Sequence, residues 1–382
     1  MECDAGYETD TLSAKIRARF VPGVNGLRMH ILEAGIDPDG PCVVLLHGFP
    51  ELGYSWRKII VPLAEAGYHV VAPDQRGFGR TTGWDGSYDG DLASFRMVNR
   101  VRDVLGLVDA LGRESVAGVI GHDSGAHVAA WCSLLRPDVF RTTVLMSAPF
   151  GGPPELSSGV ETDIEEMNEE LGRLPRPRKH YQWYYSTRTA NHDMSNCPQG
   201  VHDFLRAYFH YKSADWEGND PRPLQSWTAD QLANLPTYYV MDRHRGMAET
   251  VAPYMPSEKQ IRSCRWLTDE ELRVYSSEYG RTGFQGGLQW YRCRTDLRYQ
   301  RDLQVFGDRT LDVPSAFIAG RRDWGVYQKP GTVERMQDSV CTDMRRCTLV
   351  EGAGHWVQQE APERVTELLC EFLDGVREST RS

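Results

Sequence analysis

The chain has 382 residues, 40% of them hydrophobic, and a formal net charge of −10. That length suits one large domain carrying an insertion, and the negative balance argues against nucleic acid or an anionic membrane as partner. Nine cysteines scattered without C-x-x-C or His-spaced sets fit reduced thiols in a cytoplasmic protein better than a disulfide framework or zinc site.

The stretch from Met1 to Lys15 is polar and acidic, so no secretory leader is expected. Residues 16–20 and 27–32 read as strands joined by a Pro-Gly-Val-Asn-Gly turn. Residues 42–46 are continuously apolar, as in a strand covered on both faces, and end in His47-Gly48-Phe49-Pro50. A helix is predicted over 56–66. Residues 69–72 form the next strand and lead into Asp74 and Arg76-Gly77-Phe78-Gly79. Val98, Val101, Leu105, Val108 and Leu111 follow helical spacing, and Gly112 stops that helix. Residues 116–120 and 143–146 are further strands. This alternation predicts a mostly parallel sheet with helices on both faces, whose sites form at the carboxyl ends of strands.

Between strand 116–120 and the next helix lies Gly121-His122-Asp123-Ser124-Gly125. A strand that turns this sharply into a helix strains its middle residue and pushes that side chain outward. Small residues are needed two before and two after, and Gly121 and Gly125 supply them. The residue presented is Asp123. Centring on Ser124 instead puts His122 two positions before the nucleophile, where its ring crowds the turn. Acyl-type chemistry at Asp123 places charge on a carboxyl oxygen, which the N–H groups of Ser124 and Phe49 can hold.

After a Pro- and Gly-rich boundary the alternation stops. Residues 150–295 show helical patches and aromatic-rich stretches without a strand series. They are read as a lid inserted into a core of residues 1–149 and 296–382. An acidic, solvent-facing helix is predicted over 163–174, with further helices over 203–212, 228–235 and 268–278. Tyr181 with Gln182, Tyr184 and Tyr185 lies early in the lid, and Trp290-Tyr291 near its end. A phenol can donate to an oxygen that is becoming an alkoxide, so paired phenols suit opening of an ether ring; most tyrosines, however, simply pack.

Strand 312–319 runs into Gly320-Arg321-Arg322-Asp323-Trp324-Gly325, and strand 346–350 into Glu351-Gly352-Ala353-Gly354-His355-Trp356. Pro362 opens a final helix whose Val365, Leu368, Leu369, Phe372 and Leu373 form an apolar stripe. Asp123, Asp323 and His355 follow the chain order nucleophile, acid, histidine of hydrolases with this architecture. His355 would activate water, with Asp323 orienting its ring.

These motifs, together with Ser55-Trp56-Arg57, resemble the α/β-hydrolase superfamily over nearly the whole chain, and more narrowly the epoxide hydrolases. Tyr181-Gln182 and Gln289-Trp290-Tyr291-Arg292 resemble the segments that bear that family's ring-opening tyrosines; Tyr184 or Tyr185 is the alternative to Tyr181. The resemblance implies an α/β-hydrolase fold, a mostly parallel sheet flanked by helices, with an inserted and largely helical lid. It implies that Asp123 attacks an epoxide carbon and forms an ester, while Tyr181 and Tyr291 donate to the departing oxygen. His355, held by Asp323, then activates water, and Phe49 and Ser124 hold the oxyanion. No metal or organic cofactor is needed. His47, Pro50, His122, Gln182, Tyr184, Tyr185, Trp290, Trp324 and Trp356 are expected to line the substrate side.

The expected partner is a small molecule, bulky and natural-product-like; a homodimer is the one macromolecular partner left open. Ser124 stands where many epoxide hydrolases and haloalkane dehalogenases carry Trp, which removes an indole N–H suited to halide. The alternatives are a dehalogenase or an ester or lactone hydrolase on the same scaffold, and a non-catalytic binding protein. Within the first reading, an internal hydroxyl could replace water in opening the ring.

Overall fold

The hairpin predicted at the start forms as β1 (Arg17–Val24) and β2 (Leu27–Ala34). Its turn places Asn25 and Gly26 at positive φ, as a tight connection between antiparallel strands requires. In the computed structural model, residues 6–7, 9–37, 40–156 and 163–381 are described; parts of the predicted leaderless N-terminal stretch and of the lid lie outside them. β3 (Cys42–Leu46), β4 (His69–Pro73), β5 (Gly118–His122) and β6 (Thr143–Met146) follow, every residue buried. That burial explains their unbroken apolar runs.

Between β6 and the next sheet strand the chain is largely helical, with one two-stranded ribbon, β7 (Arg178–His180) and β8 (Val240–Asp242). β9 (Ser315–Gly320) and β10 (Met344–Val350) complete an eight-stranded sheet ordered β1-β2-β4-β3-β5-β6-β9-β10. It is parallel from β4 to β10, and β2 alone runs against its neighbours, antiparallel to both β1 and β4. The chain adds β4 on one side of β3 and then returns to add β5 on the other. A crevice opens beyond the carboxyl ends of strands at such a reversal.

Helices Arg57–Glu65 and Pro362–Arg381 pack together, as do Met97–Ala110 and Ser124–Leu135. The predicted stripe of the last helix is buried throughout. Three expectations change. The strand before the sharp turn is Gly118–His122, because pairing with β3 and β6 extends through His122. The middle segment contains the ribbon β7–β8. Helix Asp163–Arg173 is not a purely solvated element, since Met167, Asn168 and Leu171 are buried.

The inserted segment is tied to the core by Arg57. Its guanidinium bonds Glu271 Oε1 at 2.9 Å, Gln359 Oε1 at 2.7 Å and the Trp266 carbonyl at 3.0 Å. The described cysteines are unpaired. No helix among the described residues is long and apolar enough to cross a membrane.

Candidate active site

Asp123 caps the helix Ser124–Leu135 with φ +52° and ψ −122°. Both flanking glycines are obligatory. A Cβ on Gly121 would lie 2.1 Å from the Gly125 carbonyl oxygen, and one on Gly125 would lie 2.3 Å from that of Leu46. Gly48 gives way to the carboxylate itself, since a Cβ there would sit 2.4 Å from Asp123 Cβ. The Phe49 N–H donates to Asp123 Oδ1 at 3.1 Å. As the first residue of its helix, Ser124 has an N–H without an intrahelical acceptor. Its hydroxyl is buried without a partner, so no base activates it.

His355 follows β10 and places Nε2 3.5 Å from Asp123 Oδ2. That is too long for a strong hydrogen bond, so Nε2 is unengaged. On its other side, Nδ1 meets Asp323 Oδ1 at 3.0 Å, and the same oxygen accepts the Gly325 N–H at 2.6 Å. Asp323 therefore fixes the ring with Nδ1 protonated. Burial raises the Asp123 carboxyl, but the contact and charge of His355, joined by Lys212 and His122, outweigh it and hold the group well below the ordinary carboxylate range. Asp323 is likewise lowered, against its burial, chiefly by His355.

The inserted segment roofs this line with phenols. The Tyr181 and Tyr291 rings lie 5.9 Å apart, and Tyr291 stacks edge-on against Phe49 at 5.5 Å. Burial, then the Asp123 charge, pushes the Tyr181 phenol up to about 12 and Tyr291 well above its usual value. Both therefore keep their protons at neutral pH. The Gln182 amide donates to the Tyr181 oxygen at 3.0 Å, which leaves the phenol proton free to point elsewhere. Tyr184 turns to Asp193 Oδ2 at 3.1 Å, and Tyr185 donates to Tyr208 at 3.4 Å. The Tyr185 ring lies nearer Tyr291, at 4.9 Å, but its hydroxyl is turned to Tyr208.

Several residues expected on the substrate side have their polar atoms engaged within the protein. His47 is inaccessible; it donates from Nδ1 to the Gly48 carbonyl and accepts the Gln75 N–H on Nε2. His122 is spent on both nitrogens, with Nδ1 2.6 Å from Glu51 Oε2 and Nε2–H donating to the His355 carbonyl at 2.7 Å. Burial lowers its pKa, but the charge and hydrogen bond of Glu51 outweigh it and raise the group, whose ring props the His355 backbone. Trp290 donates to the Arg76 carbonyl and Trp356 to that of Phe209, fixing both rings in the interior. Pro50 is buried after a cis Phe49–Pro50 bond. Trp324 is buried beside Asp323 with its N–H unpartnered.

Lys212 was not expected. Its buried ammonium stands over the rings of Tyr239, Trp356, Tyr208 and Tyr238 at 5.0, 5.2, 5.4 and 5.7 Å. Its carbonyl accepts the His355 N–H at 3.0 Å. Burial pulls the ammonium below its ordinary value, against the charges of Asp123, Asp323 and Glu51. A lysine in an aromatic helix is ordinarily solvated, so only the clustering of Tyr208, Tyr211 and Trp216 nearby could have hinted at it. Among the described residues no group of three or more His, Cys, Asp or Glu side chains could hold a metal ion.

Comparison with known proteins agrees with this architecture. Residues 41–362 match the family described as alpha/beta hydrolase fold. Epoxide hydrolase A of Mycobacterium tuberculosis is 33% identical over 352 residues, 92% of this chain and 96% of that one. The chain belongs to the α/β-hydrolases, among their epoxide hydrolase-like members. Epoxide hydrolase B of the same organism is 33% identical over 359 residues, again 92% of this chain and 97% of its own. Among solved structures, an epoxide hydrolase from an endophytic Streptomyces superposes with a TM-score of 0.77 at 30% identity, covering 96% of this chain and 97% of that one. Epoxide hydrolase A from Mycobacterium thermoresistibile gives 0.75 at 31% identity, with 94% and 98% covered. This chain is a hydrolase, and it shares the epoxide hydrolase-like class with those relatives.

Proposed function

We propose that this hydrolase opens an epoxide to a vicinal diol through a covalent ester on Asp123. One observation carries the reading: a carboxylate with one oxygen held by a backbone N–H and the other free, between an unengaged imidazole nitrogen and two protonated phenols. Asp123 Oδ2 attacks an epoxide carbon, the ring C–O bond breaks, and Tyr181 or Tyr291 gives its proton to the leaving oxygen. His355 Nε2 then takes a proton from water as the water oxygen attacks Asp123 Cγ. The charge that develops on Oδ1 is held by the Phe49 and Ser124 N–H groups. Collapse expels the second diol oxygen, which takes the imidazolium proton. The other water proton restores the phenol. The long segment between β6 and β9 supports a bulky substrate.

The test is mass analysis of His355→Gln after brief exposure to a panel of epoxides. An adduct should accumulate on the peptide carrying Asp123. Diol formation without an adduct, or activity that survives Asp123→Asn but not Ser124→Ala, would sink the reading.

A further inference from the structure

A small cavity lies between β2, the end of β4 and the helix Met97–Ala110. Met29, Arg76, Arg100, Asp103, Leu107 and Trp290 line it, whereas Asp123, His355, Tyr181 and Tyr291 do not. Its space suits about one water-sized body. Arg100, Asp103 and Leu107 stand three and four residues apart, so they share one face of their helix.

Arg100 is only 7% exposed, and its Nε is buried without a hydrogen-bond partner. The face of its guanidinium is covered, standing 4.1 Å from the centre of the Trp290 ring. The N–H groups lie in the guanidinium plane, so a ring over the face leaves them still needing acceptors. The carboxylate in the same cavity is already spent. Asp103 Oδ1 accepts Arg76 Nη2 at 2.6 Å and Asn25 Nδ2 at 2.7 Å, and its Oδ2 accepts Arg76 Nε at 2.8 Å. Among the described residues Arg100 has no ion pair. Two guanidiniums thus share the cavity with one carboxylate, and one positive charge is left over. Burial pulls Arg100 down to about 10, which still leaves it charged at neutral pH.

A buried charge without a counter-charge is costly. Water would meet an N–H but leave the charge, whereas an anion answers both through a charge-assisted hydrogen bond. The cavity is too small for a carboxylate or phosphate group, and its Met29, Leu107 and Trp290 walls offer apolar contact. We propose that Arg100 and the cavity beside Trp290 bind a monatomic anion, chloride in ordinary salt. The ion completes the guanidinium's hydrogen bonds and holds it on the Trp290 ring, whose own N–H is tied to the Arg76 carbonyl at 3.0 Å. It takes no part in bond making at Asp123, so the site stands or falls apart from the epoxide reading.

The test is crystallisation of the full-length protein in sodium bromide, with anomalous scattering locating the halide. A peak should lie in the cavity within hydrogen-bond reach of Arg100. In parallel, thermal unfolding compares sodium chloride with sodium gluconate, an anion too large for the cavity, at equal ionic strength. Chloride should raise Tm by about 2–4 °C over gluconate, the gain growing with concentration. Arg100→Leu, whatever its own baseline, should lose that difference. A cavity that holds only water under bromide, or a chloride gain that survives Arg100→Leu in full, overturns the site. If Arg100→Leu does not fold, the bromide map alone decides.

Discussion

Asp123 occupies backbone angles that cost a non-glycine residue about 1–3 kcal/mol. Gly121 and Gly125 permit the turn, since a Cβ on either would meet backbone, and Gly48 leaves room for the carboxylate. What the strain provides is an ionised carboxylate held between the Phe49 N–H and the His355 ring. Because its pKa is held far down, ester formation should not weaken from protonation of Asp123 down to about pH 5, well above the ordinary aspartate value near 3.9. Rapid-quench mass analysis of single turnovers would read this. Tyr291→Phe should slow the same step about 10- to 100-fold, with Tyr181 partly compensating. These residues were legible because glycines and strand ends frame them. His47, His122 and Trp356, expected on the substrate side, sit in the same motifs with their ring nitrogens hydrogen-bonded inside the protein. Sequence places them near the site but does not say on what each ring nitrogen is spent.

At the scale of elements, the sharp turn and the helix Gly200–Lys212 set the geometry. Gly125→Ala would push a Cβ to 2.3 Å from the Leu46 oxygen and 2.5 Å from that of His47, both backbone atoms that cannot yield. It should cost about 3 kcal/mol or more, read by denaturant unfolding. Gly375→Ala, in the final helix with nothing within 4 Å, should instead stabilise by about 0.5–1 kcal/mol. Lys212→Met removes the cation that helps keep Asp123 and Asp323 ionised. Both carboxylates then move up, which NMR titration of their carboxyl signals should read; Lys212→Arg should restore them. The long apolar strands were readable in the sequence to within a few residues. β7 was not, since Arg178-Lys179-His180 offers no apolar alternation and pairs only through its distant partner β8.

For the whole molecule, alternation of strand and helix predicted a mostly parallel sheet, but not that β3 would lie between β4 and β5. That order depends on contacts between segments far apart in the chain, which no local pattern encodes. The hairpin's attachment carries a pH dependence. Glu33 on β2 is lowered to about 2; burial opposes the shift, but His69, Arg19 and Arg17 outweigh it. A depressed folded-state pKa adds stability above the unfolded value near 4.3, and that stability is lost as pH falls through about 2. After a discount for solvent screening this is about 2 kcal/mol. Chemical unfolding of wild type and Glu33→Gln should therefore converge between pH 4.5 and 2.

The His355 backbone hangs from two separate parts of the chain. Its N–H reaches the Lys212 carbonyl, while its own carbonyl takes protons from His122 and Ser147, at the ends of β5 and β6. A doorway that swung the helix Gly200–Lys212 outward would unhook the base from its frame on every opening. The position of the base is thus shared between the sheet and the inserted segment, so the two must stay docked for the imidazole to keep its place.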